Sequence, residues 1–363
     1  MIVKQLQSEG NILMNIFIHY FNYLLLLFLL EKLYLFLARK LKIEAVPNLR
    51  SAHTIPTLLG GGIIIPIACL MYFILSDYQY TYWMAALFCL ALVSYIDDLR
   101  DVSVSLRMIA QAAAIGVLLV QFNLFTYPVL LIPPVIIIMI ISLNAYNFLD
   151  GINGMTSVNS LVHLACLYYL NENTTHFIDR RLIIIVIMAV VVFSYFNFRV
   201  KAVCFAGDVG SISLAFFVCG CVLKLILVSN NVIFIILLLV YYLDAITTFV
   251  FRWMQGQDVF KAHNKHFYLY LVNHRKWSHL TVASTYAAAQ LMISLLIIPL
   301  FTPRSGLINY YNFHYTVFIT IATTSAFIWL RIKLEGVEIL KKAPQRVPSN
   351  GYRGNALHDH NSL

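Results

Sequence analysis

Residues 133–154 read PPVIIIMIISLNAYNFLDGING, an apolar run that ends abruptly in polar residues and glycines. The apolar segment to which this run belongs lies near residues 129–145 and approaches the roughly 20 residues that a helix needs to cross the hydrocarbon layer of a membrane. The polar end contains three asparagines, one aspartate and two glycines. Such residues commonly form turns between helices, but they can also line a site at the membrane boundary. The rest of the sequence favours the second interpretation.

The composition of the whole chain indicates a membrane protein. Of 363 residues, 61% are hydrophobic and only 11% are charged, whereas soluble domains carry about 25% charged residues. The sequence therefore predicts an all-α, polytopic transmembrane helical bundle of about 11 spans. The apolar segments lie near residues 12–37, 60–76, 80–96, 108–122, 129–145, 155–171, 182–197, 210–228, 231–251, 280–301 and 316–332.

The distribution of lysine and arginine predicts how these spans are oriented. One set of loops, together with the C-terminal tail, holds 19 of the 25 basic residues. Because cytoplasmic loops keep an excess of basic residues, the N-terminus is expected outside and the C-terminus in the cytoplasm. The net charge of +9 is then explained by this bias and by anionic lipids, without nucleic-acid binding. We expect one transmembrane catalytic domain at 1–334 and a disordered polar tail at 335–363.

The unusual polar segments all fall in loops of the predicted cytoplasmic side. This asymmetry is poorly explained by turn residues scattered at random, so it predicts a functional site at the inner face. The segments are SAHTIPTLLGGG at 51–62, YIDDLRDVSVSLR at 95–107, NAYNFLDGING at 144–154, FAGDVGS at 205–211 and DVFKAHNKHFY at 258–268.

Carboxylates and amides in these segments suggest a magnesium site. Asp97 and Asp98 are adjacent, and two neighbouring carboxylates repel each other unless a cation or a proton relieves them. The alternative is a solvated helix end. Asn144, Asn147 and Asp150 are spaced three apart, which on a continuing helix would place them on one broad face. Oxygen ligands of this kind suit Mg²⁺, which usually also binds phosphate.

Glycines accompany two of the polar segments. Asp208 stands between glycines just before a span, where backbone N–H groups at a helix N-terminus favour an anion such as phosphate. The three glycines at 60–62 would allow the backbone to approach another group closely, but they could equally kink the start of the second span.

Two histidines and an intramembrane acid complete the set of candidate residues. His263 and His266 stand beside Lys261 and lack the further ligands that zinc needs, so contacts to a pyrophosphate or a sugar are expected. A basic loop that holds lipid phosphates is the alternative. Asp244 lies mid-helix and is expected to face the protein interior, because charges in hydrocarbon are costly.

In this order and on one membrane face, the five polar segments resemble the polyprenyl-phosphate N-acetylhexosamine-1-phosphate transferases. This family includes the enzymes that start O-antigen, capsule and teichoic-acid synthesis and the phospho-MurNAc-pentapeptide translocase. The resemblance covers residues 40–280. It implies transfer of a sugar-1-phosphate from a UDP-sugar to undecaprenyl phosphate, with release of UMP. It also implies a need for Mg²⁺, with Mn²⁺ as a substitute, at the cytoplasmic face of the bacterial inner membrane.

The resemblance also implies roles for individual residues. Asp208 is the main metal ligand, with Asp97 and Asp150 as further ligands, and Asp97 and Asp98 act near the lipid phosphate as metal-binding or proton-accepting groups. Direct displacement and a covalent phospho-aspartate both stay open, as does a homodimer. The implied substrate-binding residues are Asn144, Asn147, Asp150, Asn153, His263, His266, Lys261 and Arg107.

The chain departs from the family pattern at positions that bear on sugar choice. Leu58 and Leu59 stand where an arginine usually precedes the glycines, and Asn153 replaces a second carboxylate. The last motif has the form AHxxHxY, closer to the branch that initiates surface polysaccharides than to the peptidoglycan branch. We therefore expect a UDP-N-acetylhexosamine as donor.

Two other classes of protein fit parts of the sequence. The DDLRD segment matches the DDxxD of membrane prenyltransferases, but no second aspartate-rich helix follows. A non-enzymatic transporter would place charges near the bilayer midplane and show repeated halves, whereas this chain puts its polar clusters on one side only.

Overall fold

Twelve α-helices account for most of the computed structural model, which describes residues 2–47, 53, 55–259, 265–301 and 308–341. The strands β1 (Glu44–Ala45) and β2 (Thr57–Leu58) pair antiparallel between the first two helices. The helices are α1 (Ile2–Leu41), α2 (Ile64–Leu75), α3 (Thr81–Leu99), α4 (Val104–Gln121), α5 (Ile132–Leu149), α6 (Met155–Asn173), α7 (Arg180–Asn197), α8 (Gly207–Ser229), α9 (Leu239–Met254), α10 (Phe267–Asn273), α11 (His279–Ile297) and α12 (Ile308–Glu335).

Each of the eleven predicted apolar segments coincides with one helix other than α10. Within the described ranges, nine helices are long and apolar enough to cross a membrane. The exceptions are α2, which with its preceding 3₁₀ turn spans only Gly61–Leu75, the more polar α6, and the seven-residue α10. The prediction of an all-α bundle of the membrane type is confirmed, whereas the number of spans stays a prediction.

Helix α8 lies at the centre of the bundle. Nearly all of its side chains are buried, and it packs against α2, α3, α5 and α6. Trp83 of α3 is fully buried and stacks on Phe217 of α8, with ring centroids 5.5 Å apart. By contrast, α1 exposes large apolar side chains such as Leu33 and Phe36, as a lipid-facing helix does. The arrangement holds the first turn of α8 at a fixed place among its neighbours.

Local sequence signals bring several helix ends together around that first turn. Helix α3 ends at Leu99, and Ser103 caps α4 by accepting a hydrogen bond from the N–H of Leu106 at 3.3 Å. Helix α5 ends at Leu149, directly before the Asp-Gly pair, and α8 begins at Gly207. The polar segments between these helices therefore meet at one end of the bundle.

The glycine-rich segment packs backbone to backbone against the turn before α8. The N–H of Gly61 donates to the carbonyl of Phe205 at 2.9 Å, and the N–H of Gly62 donates to that of Ala206 at 3.0 Å. A Cβ atom on Gly62 would lie 2.3 Å from the Cα of Gly210, which is far inside van der Waals contact. Of the two sequence interpretations, close backbone approach is therefore the one that the structure shows.

The C-terminal end of the described chain contacts α9. After α12, residues Val337–Leu340 form a 3₁₀ turn, and Gln255 Nε2 donates to the carbonyl of Ile339 at 2.8 Å. Residues 342–363 of the predicted polar tail lie outside the described residues. The division into a domain at 1–334 and a tail at 335–363 stays a prediction.

Candidate active site

Asp98 binds the N-terminus of α8. Its Oδ1 accepts from the N–H of Asp208 at 2.8 Å and its Oδ2 from the N–H of Val209 at 3.0 Å. Gly207 precedes them with φ of 71°, and a Cβ there would lie 2.5 Å from Asp98 Oδ2. These N–H groups were expected to bind phosphate, but in the structure they bind a carboxylate. The positive end of α8 stabilises that carboxylate, which fastens α3 to α8.

Asp97 faces a different set of partners from its neighbour. Its Oδ1 accepts from the N–H of Val102 at 2.7 Å, and its Oδ2 accepts from Arg107 Nη1 at 2.8 Å. The same Nη1 lies 3.4 Å from Asp208 Oδ2. Arg107 thus lies between Asp97 and Asp208, and it is a partner of both carboxylates.

The two asparagines of NAYN have different environments. Asn147 Nδ2 donates to Asp208 Oδ1 at 2.7 Å and to Ser211 Oγ at 3.2 Å. Asn144 Nδ2 instead donates to Gln111 Oε1 at 2.9 Å, across to α4. The structure therefore brings Asn147 to the carboxylates and places Asn144 at the contact between α4 and α5.

Asp150 lies just beyond the end of α5. We expected the helix to continue through Asp150. It ends at Leu149, so that expectation is wrong at this residue. The pKa of the Asp150 carboxyl is raised to about 8, chiefly because the group is removed from water. The negative charges of Asp208 and Asp98 contribute to the same rise. Asp150 therefore belongs electrostatically to the same cluster as those two residues.

Asn153 is buried and holds a loop. Its Nδ2 donates to the carbonyls of Arg199 at 2.9 Å and Val200 at 3.1 Å, in the connection between α7 and α8. The residue that replaces a family carboxylate thus fixes the loop that leads to the Asp208 turn. Its predicted role in substrate binding stays a prediction.

Asp244 organises the last motif from within α9. The prediction that it faces the interior is confirmed, because it is fully buried. Its Oδ1 lies 3.2 Å from His266 Nδ1 and accepts from the N–H of Phe267 at 3.0 Å. Its Oδ2 accepts from the N–H of Tyr268 at 3.1 Å and from the hydroxyl of Tyr286 at 2.6 Å. The start of α10 is therefore bound directly to this carboxylate.

Arg331 of α12 supports the same region, and our sequence reasoning missed it. Its Nη1 donates to the hydroxyls of Thr247 and Thr248, both at 2.8 Å, and its Nε pairs with Glu335 at 2.5 Å. Its Nη2 lies 3.5 Å from the carbonyl oxygen of Lys265. The signal available in the sequence was an arginine in an apolar helix with a glutamate four residues later.

The last motif packs against the end of α5. The hydroxyl of Tyr268 donates to the carbonyl of Phe148 at 2.9 Å, and the rings of Phe148 and His266 have centroids 5.8 Å apart. The structure therefore brings His266 next to the segment that carries Asn147 and Asp150. Lys261 and His263 lie outside the described residues.

Positive charge is concentrated beside this segment. Burial lowers the pKa of the Lys265 ammonium, and the positive charge of Arg252 lowers it further. Arg252 itself donates to the carbonyls of Asp258 at 2.6 Å and Val259 at 3.1 Å. Arg252 thereby orders the start of the basic loop in front of α10.

The donor atoms around Asp208 suit a hard cation but do not form a closed cage. In the part of the chain that the structure describes, no three histidine, cysteine or acidic side chains are grouped closely enough to hold a metal ion. The predicted set of Asp208, Asp97 and Asp150 is therefore not assembled as a three-carboxylate site. Mg²⁺ is usually held by one or two carboxylates together with substrate phosphates, and the oxygen donors present fit that mode of binding.

A bundle of membrane-type helices with carboxylates, an amide and a guanidinium at one end is the architecture of a multi-pass membrane protein with a polar site. Residues 80–226 match the family model of glycosyl transferase family 4. The match runs from the start of α3 through most of α8, so it contains Asp97, Asp98, Asn147, Asp150 and Asp208. A comparison with curated proteins found no match.

The family match confirms the resemblance seen in the sequence motifs. At the level of the family, the match supports a membrane phospho-sugar transferase that acts on a polyprenyl phosphate. The glycine-rich segment at 51–62 and the last motif at 262–268 lie outside the matched residues. The contacts of Gly62 with Ala206 and of Tyr268 with Phe148 nevertheless place these two residues at the same end of the bundle.

Proposed function

We propose that the protein transfers N-acetylhexosamine-1-phosphate from a UDP-sugar to undecaprenyl phosphate and releases UMP. The reaction is the first membrane step in the synthesis of a cell-surface polysaccharide. The observation that carries this proposal is the cluster of Asp97, Asp98, Asp208 and Asn147, which hydrogen bonds and an ion pair join at one bundle end within the family-matched segment.

The charges of this cluster suit a reaction between two phosphates. An oxygen of the lipid phosphate attacks the sugar-bearing phosphorus of the UDP-sugar, and two anions must approach each other. Two carboxylates, those of Asp97 and Asp208, share the one guanidinium of Arg107, so the cluster itself favours a further cation. Asp208 and Asp97 would hold Mg²⁺, which would neutralise charge on the diphosphate.

The remaining residues have roles that follow from their contacts. Asp98 fixes the first turn of α8 and thereby the position of Asp208. Arg107 lies where its guanidinium can bind phosphate oxygens. Asn147 orients the Asp208 carboxylate through its amide.

The last motif and the NAYN segment would bind the donor nucleotide. His266, with Lys261 and His263, contacts the diphosphate, while Asn144 and Asn153 contribute to the uridine and sugar side. The packing of His266 on Phe148, beside Asn147 and Asp150, supports this division. The AHxxHxY form favours GlcNAc or a 6-deoxy or amino relative over UDP-MurNAc-pentapeptide.

The site would face the cytoplasm of a bacterial cell. The loops that meet around Asp208 hold most of the basic residues, as cytoplasmic loops do. A UDP-sugar is a cytoplasmic metabolite, so this orientation gives the donor access to the site. The N-terminus is then outside and eleven spans cross the inner membrane.

An assay of purified protein with undecaprenyl phosphate and a panel of UDP-sugars tests the proposal. We expect a lipid-linked product and one UMP per turnover with a UDP-N-acetylhexosamine, in the presence of Mg²⁺ or Mn²⁺. No product is expected with UDP-MurNAc-pentapeptide. A product with the pentapeptide nucleotide alone would contradict the assigned branch, and no product with any donor would contradict the proposed activity.

A further inference from the structure

The Asp244 carboxylate is unusual because five donors from three parts of the chain converge on it. Three belong to consecutive residues of the last motif, from the His266 ring to the Tyr268 N–H. The other two are the hydroxyls of Thr248, at 3.1 Å, and Tyr286, at 2.6 Å. A carboxylate buried in an apolar helix is costly, and hydrogen bonds of this number offset that cost.

The Asp244 carboxylate makes two kinds of contact with the last motif. The N–H groups of Phe267 and Tyr268 open the first turn of α10, and a buried acceptor there stabilises the helix whatever His266 does. The contact with His266 Nδ1 is separate from this helix capping, because it involves a side chain and not a backbone N–H.

The contact with Asp244 fixes both the proton and the plane of the His266 ring. A carboxylate can only accept, so the Nδ1 atom at 3.2 Å carries the proton, and the tautomer follows from this bond. The ring is also held between the rings of Phe148 at 5.8 Å and Tyr268 at 6.0 Å. The imidazole is therefore held in one orientation against the end of α5.

A chain of contacts ties this arrangement to the last span. Thr248 donates to Asp244 and accepts from Arg331 Nη1, and the carbonyl of Lys265 lies 3.5 Å from Arg331 Nη2. Arg331 is itself fixed by Glu335, one turn later. Helix α12 thus contacts both Thr248, one turn after Asp244, and Lys265, directly before His266.

We propose that Asp244 is a positioning residue for the transferase reaction, acting through His266. It sets the ring orientation and the Nδ1-protonated tautomer of the histidine that binds the diphosphate. This inference rests on the proposed function for the role of His266, whereas the tautomer itself does not depend on catalysis.

Steady-state kinetics on a double-mutant cycle tests the functional part. Asp244→Asn should lower kcat roughly tenfold to a hundredfold, as the loss of a group that orients a ligand does, with little change in KM for the UDP-sugar. Once His266→Asn is present, Asp244→Asn should lower kcat no further, because the two residues act as one unit. Tyr286→Phe is the matched control: it removes one donor to the same carboxylate from α11, and we expect a lower Tm with unchanged kcat.

A spectroscopic measurement tests the tautomer independently of activity. In protein labelled with ¹⁵N-histidine, the signals that His266→Asn removes should report a proton on Nδ1. In Asp244→Ala, which removes the acceptor altogether, the proton distribution of the same signals should change, and in Tyr286→Phe it should not. If the proton stays on Nδ1 in Asp244→Ala, or if kcat falls by the same factor with and without His266, the positioning role is refuted. An inactive parent protein would instead refute the proposed function and leave the spectroscopic test intact.

Discussion

Asp208→Asn is the most direct test of the candidate active site. The substitution keeps the size of the side chain and removes its charge. The amide oxygen can still accept the hydrogen bond that Asn147 Nδ2 donates at 2.7 Å, and the backbone N–H that binds Asp98 is unchanged. The substitution therefore removes the charge and leaves most of the surrounding hydrogen bonds in place.

The expected cost to folding is small. The lost ion pair joins Arg107 and Asp208 over 3.4 Å, with side chains 37% and 28% exposed, and pairs of this kind contribute less than about 1 kcal/mol. The expected cost to catalysis is larger. Loss of the carboxylate that would hold the charge-neutralising Mg²⁺ is expected to cost about 3 kcal/mol, or roughly a hundredfold or more in rate. Stability and turnover should therefore separate clearly in this variant.

The measurement is UMP release against Mg²⁺ concentration in detergent, after size-exclusion chromatography has shown a folded species. Asp101→Asn is the matched control, since Asp101 is an exposed acid in the turn that follows Asp97 and Asp98. We expect near-normal turnover for that control. Near-normal turnover for Asp208→Asn would show that the anchor is misassigned, and unfolding of that variant would show that the contacts of Asp208 are structural.

Three further predictions concern packing, pH and topology. Gly62→Val should lower the free energy of unfolding by about 1–3 kcal/mol or more, because its Cβ would lie 2.3 Å from Gly210 Cα; Gly116→Ala, with open space around its Cβ, should not, and thermal unfolding compares them. The raised pKa of Asp150 means that the folded state binds the extra proton between pH 3.8 and about 8, so stability should fall as pH rises through that range. Unfolding measured with a chelator should lose this slope in Asp150→Asn, and an unchanged slope would contradict the assignment. In intact cells, a cysteine at Asn173 should react with an impermeant reagent and one at Val200 should not; the reverse pattern would invert the proposed orientation.

The helices could be predicted because apolar length is a strong signal. Each predicted apolar segment coincides with a helix, since in a membrane the backbone of such a run must bond to itself. The short helix α10 (Phe267–Asn273) was not predicted. Its start depends on Asp244, which lies more than twenty residues earlier in the chain. Hydropathy carries no information about such a long-range cap.

The residues of the site could be predicted as a group, but their partners could not. Asp97 and Asp98 are about 100° apart around α3, so one binds Arg107 and the other binds the start of α8. The spacing of Asn144 and Asn147 predicted a shared face, yet α4 lies close enough for Gln111 to take the first of them. These pairings depend on which helices become neighbours. Residue spacing and hydropathy in one sequence do not show which helices those are.

The carboxylates of Asp97, Asp98 and Asp208 differ in how well neighbouring groups offset their negative charge. Asp98 receives two backbone N–H groups and the positive end of α8. Asp97 is 9% exposed and receives both an N–H and the Arg107 guanidinium at 2.8 Å. Asp208 is 28% exposed and lies farther from the same guanidinium, at 3.4 Å, with one neutral amide as its closest donor. It is therefore the carboxylate that can exchange partners at the lowest cost, which is the property that a metal anchor needs when the cation arrives together with a diphosphate.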